Sequence, residues 1–293
     1  MASSLTREAP ARAELSADAV RPPAVNPPGS TLKVCGVAKS FAAPGKRGRS
    51  AEKAEKVPAL LPVDLVARPG EFVSIVGPSG CGKSTLFSII AGLETPTEGF
   101  VEIDGRDRTG QTGLVGYMLQ KDMLMPWRTV LGNVIIGLEV RGFSRRQAMA
   151  AARPLLEHYG LGGYGKAKPA QLSGGMRGRA ALLRTLLFNR QIMLLDEPFG
   201  ALDAQTRLQM QLWLLDVHAS FHKTTILVTH DVEEAVLCSD RIYVMSGRPG
   251  FVADEVTVDL PRPRKVDCLA DPAFISAKER VRATLMATPE AAS

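Results

Sequence analysis

The chain of 293 residues contains few of the features that build metal centres, disulfide frameworks or membrane spans. Its four cysteines are scattered along the sequence, and their spacing matches neither a zinc pattern nor a disulfide framework. The longest stretch without a charged residue runs only from Thr109 to Gln120, too short for a transmembrane helix of about 20 residues. The first residues, Met1 to Arg12, contain no apolar segment of the kind found in signal peptides. We therefore expect a soluble, cytoplasmic protein that acts at a membrane only through a partner.

Aromatic residues and excess charge are also scarce. Phe, Trp and Tyr make up 5% of the chain, and the formal net charge is +6. Because no cluster combines basic with aromatic residues, we expect no nucleic-acid partner. Hydrophobic residues at 45% and charged residues at 23% are ordinary for a globular protein and exclude disorder throughout.

Two segments have the composition of irregular chain. Residues 1–30 carry five prolines and few large apolar side chains, which predicts a disordered N-terminal tail. The segment 42–56 is rich in lysine and arginine and is interpreted as a solvated loop between two strands, with contact to anionic lipid or a partner as the alternative.

Between and after these segments, short apolar runs alternate with helical patterns. The predicted strands are 32–37 (an edge strand), 71–76, 101–103, 114–118, 192–195, 225–228 and 242–245. The predicted helices are 83–91, 130–140, 144–159, 174–189, 204–221, 232–238 and 272–286. Alternation of this kind predicts an α/β fold with a mostly parallel sheet covered on both faces. The segment 147–175 is helical only, which indicates a helical subdomain inserted in that core.

The sequence Gly77-Pro-Ser-Gly-Cys-Gly-Lys-Ser84 matches the phosphate-loop pattern between a strand and a helix. Backbone N–H groups can surround a triphosphate only where Gly80 and Gly82 adopt positive φ angles. The following helix adds its positive dipole end. We expect Lys83 to bridge the β- and γ-phosphates and Ser84 to bind Mg²⁺.

Polar side chains follow three predicted strands, at the edge where ligands bind in open α/β sheets. Asp196 is expected to hold Mg²⁺, and Glu197 is expected to act as general base on the attacking water. His230 could reach the γ-phosphate or the water, and Gln120 offers an amide to Mg²⁺ or water. Cys81, inside the loop, is interpreted as a passenger, with a reactive thiol as the alternative.

A second glycine-rich turn, Leu172-Ser-Gly-Gly175, precedes a long predicted helix and forms another potential anion site. A chain with one complete phosphate loop does not need a second for the same phosphate. We therefore expect this turn, called the signature turn below, to serve the nucleotide of a neighbouring copy.

Over residues 32–264 the chain resembles the ATP-binding cassette family, the nucleotide-binding subunits of ABC transporters, with the motifs in the family's order. The resemblance implies a P-loop NTPase core with a mostly parallel sheet, an antiparallel β subdomain and an inserted α-helical subdomain at about 121–190. The cassette would then span 31–264, followed by an appended C-terminal helix and tail at 265–293.

The resemblance also implies a role for each matched residue, with ATP as substrate and Mg²⁺ as cofactor. Phe41 would stack on adenine, Gln120 would sense the γ-phosphate and Asp196 would bind magnesium. The phosphates would be bound by Gly77, Pro78, Ser79, Gly80, Cys81, Gly82, Lys83, Ser84 and Thr85, and the opposite subunit would close over ATP with its Ser173, Gly174 and Gly175. Glu197 would be the catalytic glutamate, His230 would be the switch histidine, and Ala201-Leu-Asp203 would join the two sites. Gly178 and Gly200 depart from the family, which often has Gln and Ser there.

Three segments resemble the nitrate/sulfonate/taurine branch of bacterial importers: 118–130, 247–250 and 260–264. Trp127, in the first, is interpreted as packing against the helical subdomain or contacting a helix of the membrane subunit. The branch implies several partners: a second copy or a paralogous ATPase, membrane permease subunits and, indirectly, a periplasmic or extracellular solute-binding protein. It implies a peripheral location on the cytoplasmic face of the inner (plasma) membrane. The alternatives are an importer ATPase for a vitamin or pyrimidine precursor, and a soluble cassette ATPase of DNA repair or translation.

Overall fold

The computed structural model describes residues 29–42, 56–188, 190–200 and 202–287. Residues 1–28 and 43–55 lie outside this part of the chain, and they include most of the predicted N-terminal tail and of the predicted 42–56 loop. In the part described, no helix is both long and apolar enough to cross a bilayer.

Two sheets form the framework. The larger has six strands in the order β10-β9-β3-β8-β7-β6, and the smaller has four in the order β2-β1-β4-β5. In chain order the strands are β1 (Leu32–Ala42), β2 (Lys56–Ala67), β3 (Phe72–Val76), β4 (Glu98–Ile103), β5 (Arg106–Asp107), β6 (Val115–Met118), β7 (Ile192–Asp196), β8 (Thr224–Thr229), β9 (Arg241–Ser246) and β10 (Phe251–Thr257). The larger sheet is parallel except for β10, and the smaller is antiparallel, as expected for both.

Helices cover both faces of the larger sheet. They are α1 (Lys83–Ile90), α2 (Val130–Val134), α3 (Ile136–Val140), α4 (Arg145–His158), α5 (Gly174–Leu187), α6 (Ala204–Phe221), α7 (Val232–Cys238) and α8 (Pro272–Ala287). The central strand β3 is buried on both sides, and its side chains alternate between two apolar cores. Val73 and Ile75 join the core beneath α1 and the smaller sheet, whereas Phe72 and Val76 join the core beneath the other helices.

Two predictions about elements are wrong. The strand predicted as an edge strand, β1, lies inside the smaller sheet, because it pairs with β2 on one side and β4 on the other. The single helix predicted over 130–140 is broken at Ile135 into α2 and α3. Gly137, after the break, packs so closely that a Cβ there would lie 2.7 Å from the Cα of Phe188.

The C-terminal helix α8 is packed against the core. Phe274 and Val281 are buried in the same apolar cluster as α7. The ion pairs Lys278–Glu233 and Arg280–Asp254 link α8 to α7 and β10.

Candidate nucleotide-binding site

The phosphate loop, Gly77–Thr85, joins β3 to α1 and has the predicted conformation. Gly80 has φ 84° and Gly82 has φ 92°, a region that L side chains rarely adopt. A Cβ on Gly82 would also lie 2.4 Å from Cδ2 of Leu60. Glycine is therefore required here both by the backbone and by the space around it.

Lys83 is directed into this loop. Its side chain is buried, and Nζ donates hydrogen bonds to the carbonyl oxygens of Gly77 at 2.7 Å and Pro78 at 2.8 Å. A buried ammonium whose acceptors are all neutral would bind a phosphate oxygen more strongly, because the negative charge of the phosphate adds Coulomb attraction to the hydrogen bond. The lysine is thus positioned for an anionic ligand in the loop.

Cys81 lies inside the loop and is fully buried. Its sulfur is 3.8 Å from Lys83 Nζ, but burial outweighs this cation and raises the pKa of the thiol. Both observations favour the passenger interpretation over a reactive thiol.

Asp196 ends β7, where it meets two hydroxyl groups. The Tyr117 hydroxyl donates a hydrogen bond to Oδ2 at 3.3 Å, and the Ser84 hydroxyl is near enough to lower the pKa of Asp196. Burial raises the pKa of Asp196, and these two hydroxyls oppose that effect. Burial, together with the neighbouring Asp196 charge, also raises the pKa of Tyr117.

This set of oxygen atoms fits Mg²⁺, which prefers carboxylate and hydroxyl oxygens and keeps several waters or substrate oxygens as ligands. Among the described residues no group of three or more His, Cys, Asp or Glu could hold a metal. A cation at Asp196 and Ser84 would therefore need oxygens from the substrate or from water.

Glu197 follows Asp196 and adopts an unusual backbone conformation. Its φ is 45°, a conformation that costs about 1 kcal/mol or more in a residue other than glycine. Its N–H donates to the carbonyl of Val228 on the neighbouring β8 at 2.9 Å. The carboxylate oxygen Oε2 lies 3.2 Å from Gln120 Nε2 and 3.4 Å from His230 Nδ1. The structure thus brings together the three polar residues that follow β6, β7 and β8.

The signature turn begins α5. Ser173 caps the helix, accepting a hydrogen bond from Met176 N at 3.3 Å, and both Ser173 and Gly174 are exposed. Gly175 packs against α6, since a Cβ there would lie 2.9 Å from Cγ2 of Thr206. Among the residues described, no hydrogen bond or ion pair joins 173–175 to the phosphate loop. Within the described part of the chain, the phosphate loop and the signature turn thus have no direct polar contact.

Three further predicted residues lie near the surface. Asp203 caps α6 by accepting from Thr206 N at 3.0 Å, and this bond lowers the pKa of its carboxyl. Phe41, near the end of β1, is 42% exposed, with Lys39 Nζ 5.0 Å from the ring centroid. Trp127 is 71% exposed, so the interpretation that it packs against the helical subdomain is wrong. Ala201 lies outside the described residues.

Sequence reasoning missed two residues at this site. Tyr117 was assigned only to a strand, although its hydroxyl contacts Asp196. Arg248 was noted only in a branch motif, yet its Nη2 donates to the carbonyl oxygen of Ser79 in the phosphate loop. Each contact joins segments far apart in the sequence, and no local pattern indicates it.

Comparisons with known proteins agree with this geometry. Residues 60–200 match the family model described as ABC transporter. The chain is 46% identical over 233 residues to an uncharacterized ABC transporter ATP-binding protein, MJ0412, of Methanocaldococcus jannaschii, covering 80% of this chain and 84% of that protein. It is 43% identical to the nitrate import ATP-binding protein NrtD of Synechocystis sp., covering 74% of this chain and 79% of that one. It is also 43% identical to the taurine import ATP-binding protein TauB of Pseudomonas aeruginosa, covering 72% and 80%.

Solved structures of ABC transporter cassettes are also similar to this chain. The bacterial ABC transporter cassette MJ0796, in its dimeric structure, superposes with a TM-score of 0.66 at 33% identity and covers 78% of this chain and 100% of that one. The same cassette is known in a post-hydrolysis state bound to ADP and Pi. The present chain belongs to the ATP-binding cassette family, and it is an ABC-type ATPase related to the ATP-binding proteins of nitrate and taurine importers.

Proposed function

We propose that this chain is the energy-coupling subunit of a membrane importer, which works as a dimer with two ATP molecules at its interface. The observation that carries the proposal is the exposed start of α5 at Ser173, an anion site without a contact to the phosphate loop of its own chain. In the proposal residues 31–264 form the cassette, with the helical subdomain at about 121–190, and 265–293 form an appended helix and tail.

Each ATP site takes residues from both copies. One copy contributes Phe41 against the adenine, the phosphate loop with Lys83 on the β- and γ-phosphates, and Ser84, Gln120 and Asp196 near the cation. The other contributes Ser173, Gly174 and Gly175 against the γ-phosphate, with Asp203 in the adjoining loop. The second copy is identical or a paralogous ATPase.

The arrangement around Glu197 supports hydrolysis. Glu197 accepts a proton from a water molecule, whose oxygen attacks the γ-phosphorus as the bond to the leaving ADP oxygen breaks. Gln120 and His230 both contact the Oε2 atom of Glu197, at 3.2 and 3.4 Å, and in the proposal they position this carboxylate for the attacking water. Bound Mg²⁺ would supply charge neutralisation on the phosphates.

ATP then drives closure of the dimer because it binds the closed state better than the open one. The γ-phosphate is the group that both copies contact, so its hydrolysis removes the preference for the closed state. Paired membrane subunits would move with each closure.

Complementation between chains tests the shared site. Two variants, Lys83→Met and Ser173→Arg, are each placed in a Glu197→Gln background, so that retained ATP is counted instead of turnover. Neither variant alone can form a complete site. A mixed dimer has one complete site, and we expect the mixture to retain at least about ten times more ATP than either variant alone. Retention equal to the average of the two variants would overturn the shared site.

The solute is proposed from the relatives. Because those with the nitrate and taurine import names are 43% identical to this chain, we propose import of a small anion such as nitrate, a sulfonate or taurine. The solute would bind a separate periplasmic or extracellular protein, while this subunit lies on the cytoplasmic face of the inner membrane against the permease. Reconstitution with the permease tests this. We expect binding protein loaded with nitrate or taurine to stimulate ATP hydrolysis, and stimulation only by a vitamin or pyrimidine precursor would contradict it.

A further inference from the structure

The turn between β9 and β10, Gly247–Gly250, packs directly against the phosphate loop. A Cβ on Gly250 would lie 1.8 Å from the carbonyl oxygen of Cys81, so the two backbones touch. Gly250 also donates to the carbonyl of Ala59 at 3.0 Å and accepts from the N–H of Leu61 at 2.9 Å. Backbone contacts on both sides therefore fix the turn in place.

From this turn the side chain of Arg248 reaches over one peptide unit of the loop. Its Nη2 donates a hydrogen bond to the carbonyl oxygen of Ser79. A Cβ on Gly80 would lie 2.8 Å from Nη2 and 2.9 Å from Nε and Cζ, so the guanidinium covers the α-carbon of Gly80. Arg248 itself is exposed.

The hydrogen bond constrains the Ser79–Gly80 peptide unit, which has no other hydrogen bond among the described residues. The Ser79 carbonyl and the Gly80 N–H belong to the same trans peptide unit and so point in opposite directions. Gly80 has φ 84°, and a glycine rotates easily about its N–Cα bond, which sets the orientation of this peptide unit. A donor that holds the carbonyl therefore holds the N–H on the side of the peptide opposite to Arg248, where a bound phosphate would accept from it. The positive charge of Arg248 also polarises the peptide and makes the Gly80 N–H a stronger donor.

We propose that Arg248 is a positioning residue of the phosphate loop, which orients the Ser79–Gly80 peptide and thereby sets the affinity for the nucleotide phosphates. The inference rests on the proposed function only in that the loop binds a nucleotide. In phosphate loops the backbone N–H groups contact the α- and β-phosphates, which ADP and ATP share. The effect is therefore on binding of both nucleotides and not on the rate of hydrolysis.

The test uses the full chain with the variants Arg248→Met and Arg248→Lys. Methionine keeps much of the length of the side chain without charge or donor, and lysine restores both. We expect Arg248→Met to weaken binding of fluorescent ADP and ATP, each with Mg²⁺, by a similar factor of about ten. The hydrolysis rate at saturating ATP should stay within about twofold of wild type, and lysine should recover most of the affinity.

Arg280→Met is the matched control, since Arg280 is also an exposed arginine but pairs with Asp254 on β10 and has no hydrogen bond to the phosphate loop among the described residues. It should leave nucleotide affinity unchanged. Unchanged affinity in Arg248→Met would overturn the inference, as would weaker binding of ATP alone or a lower hydrolysis rate at unchanged affinity. Failure of the wild-type chain to bind ATP would instead overturn the proposed function.

Discussion

The Nδ1 atom of His230 lies 3.4 Å from the Oε2 atom of Glu197, and this carboxylate oxygen also lies 3.2 Å from Gln120 Nε2. Residues that follow β6, β7 and β8 thus meet at one carboxylate oxygen. A carboxylate oxygen with two polar neighbours loses rotational freedom, which favours one orientation of the Glu197 side chain. The left-handed backbone of Glu197 fits the same interpretation, because strain at a functional residue persists only where its surroundings enforce it.

Replacing Glu197 by glutamine keeps the shape of the side chain and removes its ability to accept a proton. We expect ATP hydrolysis by Glu197→Gln to fall at least about 100-fold, the usual contribution of a general base. With Mg²⁺ and ATP, light scattering should find a stable dimer. The control Glu279→Gln changes an exposed glutamate on α8 and should behave as wild type. A Glu197→Gln variant that stays monomeric with ATP would contradict the model.

Glu234, on α7, is a buried carboxyl close behind the site. Thr229 donates to its Oε2 at 3.3 Å, while Oε1 has no partner within the described residues. Burial, followed by the negative charge of Asp231, raises the pKa of Glu234 to about 8, although Arg207 and Gln211 oppose this shift. The folded chain therefore holds this proton up to about pH 8, whereas the unfolded chain releases it near the ordinary value of 4.5.

Between these two values the folded state binds more protons than the unfolded state. Its free energy of unfolding should therefore fall as the pH rises, by at most ~1.4 kcal/mol per pH unit for this group. In Glu234→Gln this dependence is removed, so we expect its melting temperature to fall less than that of wild type between about pH 5.5 and 7.5. Parallel pH curves for the two proteins, measured by calorimetry, would argue against a proton held on Glu234.

Cys81 should be a poor nucleophile, because it is fully buried and burial raises the pKa of its thiol. We expect N-ethylmaleimide to modify the partly exposed Cys35 and Cys268 well before Cys81. Cys81→Ala should keep ATP hydrolysis within about twofold of wild type. Mass spectrometry of the labelled peptides measures the order. Rapid modification of Cys81 that ATP prevents would favour the reactive-thiol alternative.

Trp127 is an exposed aromatic residue without an established partner in the fold. Its backbone carbonyl accepts from Lys168 Nζ at 2.6 Å, which holds the segment while the side chain stays 71% exposed. If the permease docks here, Trp127→Ala should weaken its binding about tenfold or more, since buried tryptophans dominate interfaces. ATP hydrolysis by the chain alone should not change. Phe100→Ala, at an aromatic residue 41% exposed on β4, is the control. Equal binding by both variants would place the contact elsewhere.

Features built from consecutive residues were predictable, whereas features built from residues far apart in the chain were not. The phosphate loop was predictable because its chemistry lies in consecutive residues, and the conformations of Gly80 and Gly82 follow from that order. The acids at the end of β7 were predictable because a strand end sets their place. The edge position assigned to β1 was wrong because strand neighbours depend on residues far along the chain. The break at Ile135 was missed because it accompanies packing around Gly137, which the helical pattern does not contain.

The α/β fold was predictable from the alternation of strand and helix patterns along the chain. The phosphate loop, the signature turn and the two acids were predictable from residue order over one turn or one strand. The contacts between distant side chains depend instead on the folded arrangement: Tyr117 contacts Asp196, Gln120 and His230 contact one oxygen of Glu197, and Arg248 contacts Ser79. These pairs come from strands and turns that are separate in the chain. They become neighbours only when backbone pairing aligns β6, β7, β8, β3 and β9 side by side in the larger sheet.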